Sequence, residues 1–349
     1  CQLVQATWLP SAETAGAPFD SAVSVAGEIL MSGACGRMLR YTGGEFEALD
    51  APSGMNFEVT DSGAIWYYNF PSGMLMRWGP ERGFEDHARL PEAYSDGSLA
   101  VAPDGRTVYV AWWIRDEDPA KEASALYRYV DGGELEKLFD MSGGVFLRAV
   151  EVTSDGTVYL ATREGIDRLD GMRRVPVYRR RELYVRSDAL TSDAVGNLYF
   201  AAHTEEGNDV IRLDPEGNAE LIVRYREPGL LPFGLSFHED ERRIIGVRKE
   251  RGELVAIDLA GTAEVLNDPS GLITPISTEE SPAGDIFVNG DEVGLLRVDA
   301  DGSVERFAGG IASYQPPAAD FAIAADGTIY YSEAAPGFES GIIRLGADV

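Results

Sequence analysis

The amino-acid sequence predicts an all-β protein, a single propeller of eight four-stranded units. Three observations carry that expectation. One strand–turn–strand pattern recurs along all 349 residues, its spacing suits a four-stranded sheet, and helical periodicity is nearly absent. The turns fall at Gly27, Gly63, Gly105, Gly156, Gly196, Glu241, Gly284 and Gly327, at intervals of 36, 42, 51, 40, 45, 43 and 43 residues. A period near 40 to 45 residues is that of a propeller blade, since four short strands and their turns use about that much chain.

Within each unit the elements follow in a fixed order. A first strand starts seven residues before the turn, at Asp20, Asn56, Ser98, Ala149, Ala189, Gly234, Ser277 and Asp320. After the turn comes an apolar second strand, such as Ile65-Trp66-Tyr67, Val158-Tyr159-Leu160 or Ile329-Tyr330-Tyr331. β-Branched and aromatic residues suit a pleated surface buried between neighbouring sheets. The third strand has an apolar-Arg-apolar centre at Arg40, Arg77, Arg128, Arg168, Arg212, Arg297 and Arg344, and only the sixth unit departs, with Ala256. Alternation puts each Arg opposite its apolar neighbours, as a structural residue bonded to the adjacent blade. Pairs such as Gly43-Gly44, Asp131-Gly132 and Asp301-Gly302 then turn the chain into a fourth strand.

These units occupy about 19–50, 55–90, 97–140, 147–185, 188–225, 233–268, 275–310 and 319–349, in one domain without linkers. The last ends after its third strand, so residues 1–8, with the apolar segment Leu3 to Trp8, are expected to supply the missing strand and close the ring. Seven blades with one degenerate repeat is the competing count. Cys1 reads as the lipid-bearing residue of a processed bacterial lipoprotein, which places the protein outside the cytoplasm, held to a membrane through an N-terminal lipid alone. The alternatives are an arbitrary boundary or a single disulfide with Cys35, which the expected topology disfavours because it puts the two on opposite faces.

Composition narrows the partners. Asp and Glu number 58 against 30 Lys and Arg, a formal charge of −28. Nucleic acid, whose binding needs a basic surface, is an unlikely partner. No apolar run approaches the roughly 18 to 20 residues of a spanning helix. The one basic patch, Arg173-Arg174 and Arg179-Arg180-Arg181, reads as a solvated outer-strand edge.

The pattern small-x-Val-x-x-Asp-Gly-x-(Ile/Val)-Tyr, followed by (Leu/Ile)-x-Arg-(Leu/Val/Tyr), resembles the NHL-repeat propellers and the related senescence-marker/gluconolactonase and virginiamycin B lyase families. The gluconolactonase resemblance implies a divalent metal held by Glu and Asn/Asp where the innermost strands begin, often within Pro-Asn/Asp-Gly. The nearest cognate here is Pro232-Phe233-Gly234, with Phe at the ligand position. The lyase resemblance implies a metal-adjacent His, whereas His87, His203 and His238 lie in unrelated repeats without a common motif.

The candidate site is the top face, where the first strands begin. Asp20, Asn56 and Asp320 occupy one equivalent position in units that adjoin in a closed ring, and such hard oxygen ligands suit Ca²⁺ or Mg²⁺. Capping of local backbone is the plainer role for them. Arg148 and Asp188 could contact a ligand or pair with each other. Trp112 and Trp113 open the longest top loop, residues 112–122, and suit an amphipathic ligand or a partner protein. No Ser-His-acid or Cys-His arrangement has recognisable spacing. The favoured reading is a monomeric, lipid-anchored propeller that binds a protein or small ligand on its top face without catalysis. The alternative is a metal-dependent hydrolase, lactonase or lyase using the acidic channel mouth.

Overall fold

The structure, a computed structural model, describes strand backbone at 22–25, 28–32, 37–42, 45–52, 55–57, 320–323, 329–332 and 342–345. It also describes residues 58–308 apart from 61, 70–72, 80–81, 92–96, 115–122, 142–145, 180–189, 205, 227–232, 239–241, 249–250, 267–274, 282–284, 291–293 and 299–302. Cys1, Leu3 to Trp8, Asp20, Cys35 and Asp188 lie outside the described residues.

The described elements are all strands, in antiparallel sheets that follow the repeat. One sheet holds β5 (Met55–Val59), β6 (Ile65–Asn69), β7 (Met74–Gly79) and β8 (Gly83–Arg89). The next holds β9 (Gly97–Val101), β10 (Thr107–Ile114), β11 (Ala123–Val130) and β12 (Glu136–Met141). Then come β13 (Leu147–Val152), β14 (Val158–Thr162), β15 (Gly165–Asp170) and β16 (Arg173–Arg179). They are followed by β17 (Leu190–Ser192), β18 (Leu198–Thr204), β19 (Gly207–Leu213) and β20 (Ala219–Tyr225). Two further sheets comprise β21 (Phe233–His238), β22 (Arg243–Arg248), β23 (Glu253–Asp258) and β24 (Ala263–Val265), and β25 (Pro275–Glu280), β26 (Ile286–Gly290), β27 (Gly294–Val298) and β28 (Val304–Ala308).

The first and last units pair differently from the expectation. β29 (Asp320–Ile323) and β30 (Ile329–Ser332) continue into β3 (Arg37–Thr42) and β4 (Glu45–Pro52), in the order β29-β30-β3-β4. The remaining strands, β1 (Ala22–Val25), β2 (Glu28–Ser32) and β31 (Ile342–Leu345), form a three-stranded sheet. Residues 19–50 and 319–349 therefore do not each build a sheet of their own. The physical reason is that the two units are interchangeable partners: Tyr330 pairs with Arg40 in one sheet and Leu30 with Arg344 in the other, the same apolar-to-Arg register that the other units except the sixth use.

Burial explains why these segments are strands. Every residue of β14 is buried, and Ile65 to Tyr68 of β6 are wholly inaccessible. Successive side chains point to opposite faces, so each second strand feeds two interfaces at once. Aromatic and aliphatic side chains fill them: Trp66, Tyr68 and Leu75 pack with Leu99, Val110 and Trp112 of the next sheet, and Ala111, Leu126 and Leu138 pack with Val150, Val158 and Leu160 of the one after. Turn chemistry completes the hairpins. Asp104 Oδ1 accepts from the N–H groups of Arg106 and Thr107, each at 2.8 Å, around Gly105 at φ 66°.

Among the described third-strand arginines, Arg128 and Arg212 bond within their own sheet, which corrects the expectation of a bond to the adjacent blade for these two, whereas Arg77 reaches both Glu85 of its own sheet, at 3.6 Å, and Asp131 of the next, at 4.0 Å. Register sets an aromatic residue, an Arg and a Glu in one row across strands two to four, as in Trp66, Arg77 and Glu85, Tyr109, Arg128 and Glu136, and Tyr199, Arg212 and Glu220. Arg128 lies 2.6 Å from Glu136, and Arg212 lies 2.7 Å from Glu220. The sixth unit lacks the row, with Ile245, Ala256 and Glu264 at those places. Because the Arg128 pair is open to water, Arg128→Ala is expected to cost less than about 1 kcal/mol in denaturant unfolding.

Candidate functional site

The first strands lie side by side in the order β5, β9, β13, β17, β21, β25 and β29, and β29 also lies beside β5. Unlike the apolar second strands they carry hydroxyl and carboxyl side chains. Several of these stitch one sheet to the next. Ser98 Oγ accepts from the Val150 N–H at 3.2 Å, Thr191 Oγ1 accepts from the Phe237 N–H at 3.2 Å, and Thr278 Oγ1 donates to the Gly234 carbonyl at 2.7 Å.

Glu151 on β13 is different. It is half-buried, and its carboxyl takes one hydrogen bond, from Ser192 Oγ of β17 at 2.9 Å. No ion pair with Arg or Lys reaches it among the described residues. Burial therefore pushes this carboxyl up to about 7, against the small opposing effect of the Ser192 bond. Glu58, five residues before Gly63 as Glu151 is before Gly156, holds the equivalent position on β5. This position lies further along the first strands than their starts, where the candidate ligands were expected, and no motif in the sequence marks it.

Of the residues singled out from sequence, Asn56 on β5 and Asp320 on β29 fall on neighbouring first strands. Arg148 lies on β13, half-buried, with its guanidinium 5.9 Å from the centre of the Phe146 ring. Trp112 is a correction. The expected loop begins instead as strand, β10 running through to Ile114, and Trp112 is 1% exposed. Its indole N–H donates to the Pro91 carbonyl at 3.2 Å and its ring meets Tyr68 edge-on at 5.3 Å, so it is interior packing and no surface for a ligand. Trp113 follows it on the same strand.

Two members of the basic patch, Arg174 and Arg179, are not a solvated edge, whereas Arg173 is exposed beside the equally exposed Asp170, and Arg180 and Arg181 lie outside the described residues. Asp167 on β15 is fully buried and is flanked by Arg174, at 3.0 Å, and Arg179, both from β16. The next sheet repeats the device: Asp209 on β19, equally buried, takes Arg224 of β20 through Nε at 2.7 Å and Nη2 at 2.8 Å. Each Asp sits two residues after a glycine, Gly165 or Gly207, at φ 148° and 146°. A Cβ on Gly207 would stand 2.6 Å from the Tyr225 carbonyl oxygen, so only glycine lets the fourth strand come this close. The signal, Gly-x-Asp with an Arg 12 to 15 residues on, was present in the sequence.

Among the described residues the histidines lie apart. His87 is on the fourth strand β8 and His203 on the second strand β18, where its Nδ1 lies 2.7 Å from Asn208 Oδ1. Among the described residues no three His, Cys, Asp or Glu side chains gather as a metal site would require.

No protein-family model matches this chain, and no curated protein matches it in sequence. Solved structures do. A streptogramin B lyase superposes with a TM-score of 0.64 at 12% identity, over 88% of this chain and 97% of its own. The chain is a β-propeller. A catalytically inactive virginiamycin B lyase from Staphylococcus aureus with quinupristin gives 0.59 at 14% identity, over 81% of this propeller and 95% of the lyase. YCF48 bound to D1 peptide gives 0.56 at 14%, over 86% and 97%. At such identities the likeness shows the fold alone, because propellers carry unrelated activities on one architecture.

Proposed function

We propose that this propeller is a binding module that docks a cationic group, from a basic protein segment or a small ligand, on its first strands. The observation that carries the reading is Glu151, a carboxyl with one neutral donor and no cationic partner among the described residues, in a row of polar first strands. A desolvated carboxylate without a counter-charge is costly, and an incoming cation relieves that cost. The surplus of acidic residues, 58 against 30, would steer such a ligand in. Propellers of this shape have been seen with a peptide and with quinupristin, so both ligand classes suit the architecture. The same reading takes the seven four-stranded sheets as blades of one ring, closed where β29 meets β5 and completed by β3 and β4.

Fluorescence anisotropy with short labelled peptides of positive, neutral and negative net charge tests the proposal. Only the basic peptide is expected to bind, more weakly as salt rises, and Glu151→Gln should weaken it roughly tenfold at pH 8, as loss of one charge-assisted contact does. Equal binding of all three peptides would refute it. Calorimetric titration with Ca²⁺ and Mg²⁺ tests the separate proposal of a divalent site at Asp20, Asn56 and Asp320.

A further inference from the structure

A second titratable group sits far from the first strands, at the seam between the sheets β5–β8 and β9–β12. His87 of β8 lies between two aromatic rings, 4.7 Å from the centre of Trp66 of β6 and 5.6 Å from that of Tyr129 of β11. Its Nδ1 is 3.1 Å from the Tyr129 hydroxyl. That hydroxyl already accepts the Gly132 N–H at 3.3 Å, which leaves its own hydrogen to point at Nδ1. In the neutral ring with its proton on Nε2, the nitrogen that faces Glu85, Nδ1 is the acceptor of that hydrogen. The charged groups facing it are Glu85 of β8, 3.6 Å from Nε2, Asp131 of the β11–β12 turn, 3.7 Å from Nδ1, and Arg77 of β7. Arg77 is shared, lying 3.6 Å from Glu85 and 4.0 Å from Asp131, with its guanidinium 5.6 Å from the Trp66 ring centre.

We propose that this seam is a proton-sensitive joint: a proton arriving on His87 Nδ1 displaces the Tyr129 hydrogen from its acceptor and loosens β8 from β11 and the β11–β12 turn. The imidazolium can only donate, so the Tyr129 hydroxyl, which is 3% exposed, must then accept from both Nδ1 and the Gly132 N–H and turn its own hydrogen away from His87. The two carboxylates favour the imidazolium, but Arg77 opposes it and the aromatic enclosure strips it of water. Burial holds the imidazole below its usual range in spite of Asp131 and Glu85. A folded-state value below the unfolded 6.5 means that the joint is fully formed above that pH and is lost as pH falls below it.

Two measurements test this on the whole chain. NMR titration of the His87 ring, assigned by its loss in His87→Gln, should give a midpoint below 6.5, and Asp131→Asn should move it lower still by removing a favourable charge. Amide exchange in β8 and residues 131–133, corrected for the intrinsic rate, should be several-fold faster at pH 5 than at pH 7.5, while β14 shows no such change. In His87→Gln the ratio between the two pH values should be flat. A His87 midpoint at or above 6.5, an Asp131→Asn midpoint that stays or rises, or an exchange ratio in His87→Gln equal to that of the unaltered protein would each overturn the joint. None of these readouts involves a ligand.

Discussion

Replacing Glu151 by glutamine is expected to stabilise the protein at pH 8 by at most on the order of 3 kcal/mol and to leave it nearly unchanged near pH 4. The direction follows from the raised carboxyl. Folding favours its protonated form, so the contribution of Glu151 is fully present below the unfolded value of 4.5 and is lost as pH rises through about 7. Above that, the folded state holds a carboxylate that has given up much of its water and received only the Ser192 hydroxyl. Glutamine keeps an oxygen for that hydroxyl and carries no charge. Urea unfolding of the two proteins from pH 4 to pH 8 reads the difference directly. Curves that stay parallel across the range would show that Glu151 is fully hydrated. A saturating basic peptide should shrink the gap, since it stabilises the form with the carboxylate more than the glutamine form, to which it binds about tenfold more weakly.

Removing both arginines from Asp167, in Arg174→Ala/Arg179→Ala, is expected to cost roughly 3 to 5 kcal/mol, because it leaves a fully buried carboxylate without a counter-charge. Taking the acid away as well should recover much of that loss. Asp167→Leu added to the double alanine variant tests this, since replacing a buried ion pair by apolar atoms is often neutral. A double alanine variant with an unchanged denaturation midpoint would mean that water reaches Asp167. The partly exposed surface rows, such as Arg128 with Glu136, have no comparable leverage, which separates two kinds of arginine that look alike in the sequence.

Much of the fold was legible in sequence for a simple reason. A strand buried on both faces has to be apolar wherever no hydrogen-bond partner is at hand, as Val158 to Ala161 is, and a tight turn has to carry Gly or an Asp cap, as Asp104 and Gly105 do. Those are local demands. Which strand pairs with which is not local, so the exchange of β3 and β4 to β29 and β30 could not be read from units that share one register. The side-chain roles failed where they depended on a neighbour out of sequence. Trp112 looked like a loop anchor until Tyr68 and Pro91 closed over it. Arg174 and Arg179 looked like an edge charge until Asp167, one strand earlier, took both. Glu151 was unremarkable until β17 was laid beside it.

Among the described residues the interior is not one core. Its buried apolar side chains fall into separate clusters, five of which join one described sheet to the next. Damage is therefore confined: a cavity between Trp66 and Trp112 is felt by two sheets, and the packing around Val247 and Val288 has no atom in common with it. The same partition lets each seam diverge on its own during descent from a common repeat. One seam could acquire an enclosed histidine, and another unit could drop its aromatic-Arg row, without any change being demanded of the rest. A molecule built this way explores new chemistry one seam at a time, with the remaining blades serving as an unchanged frame.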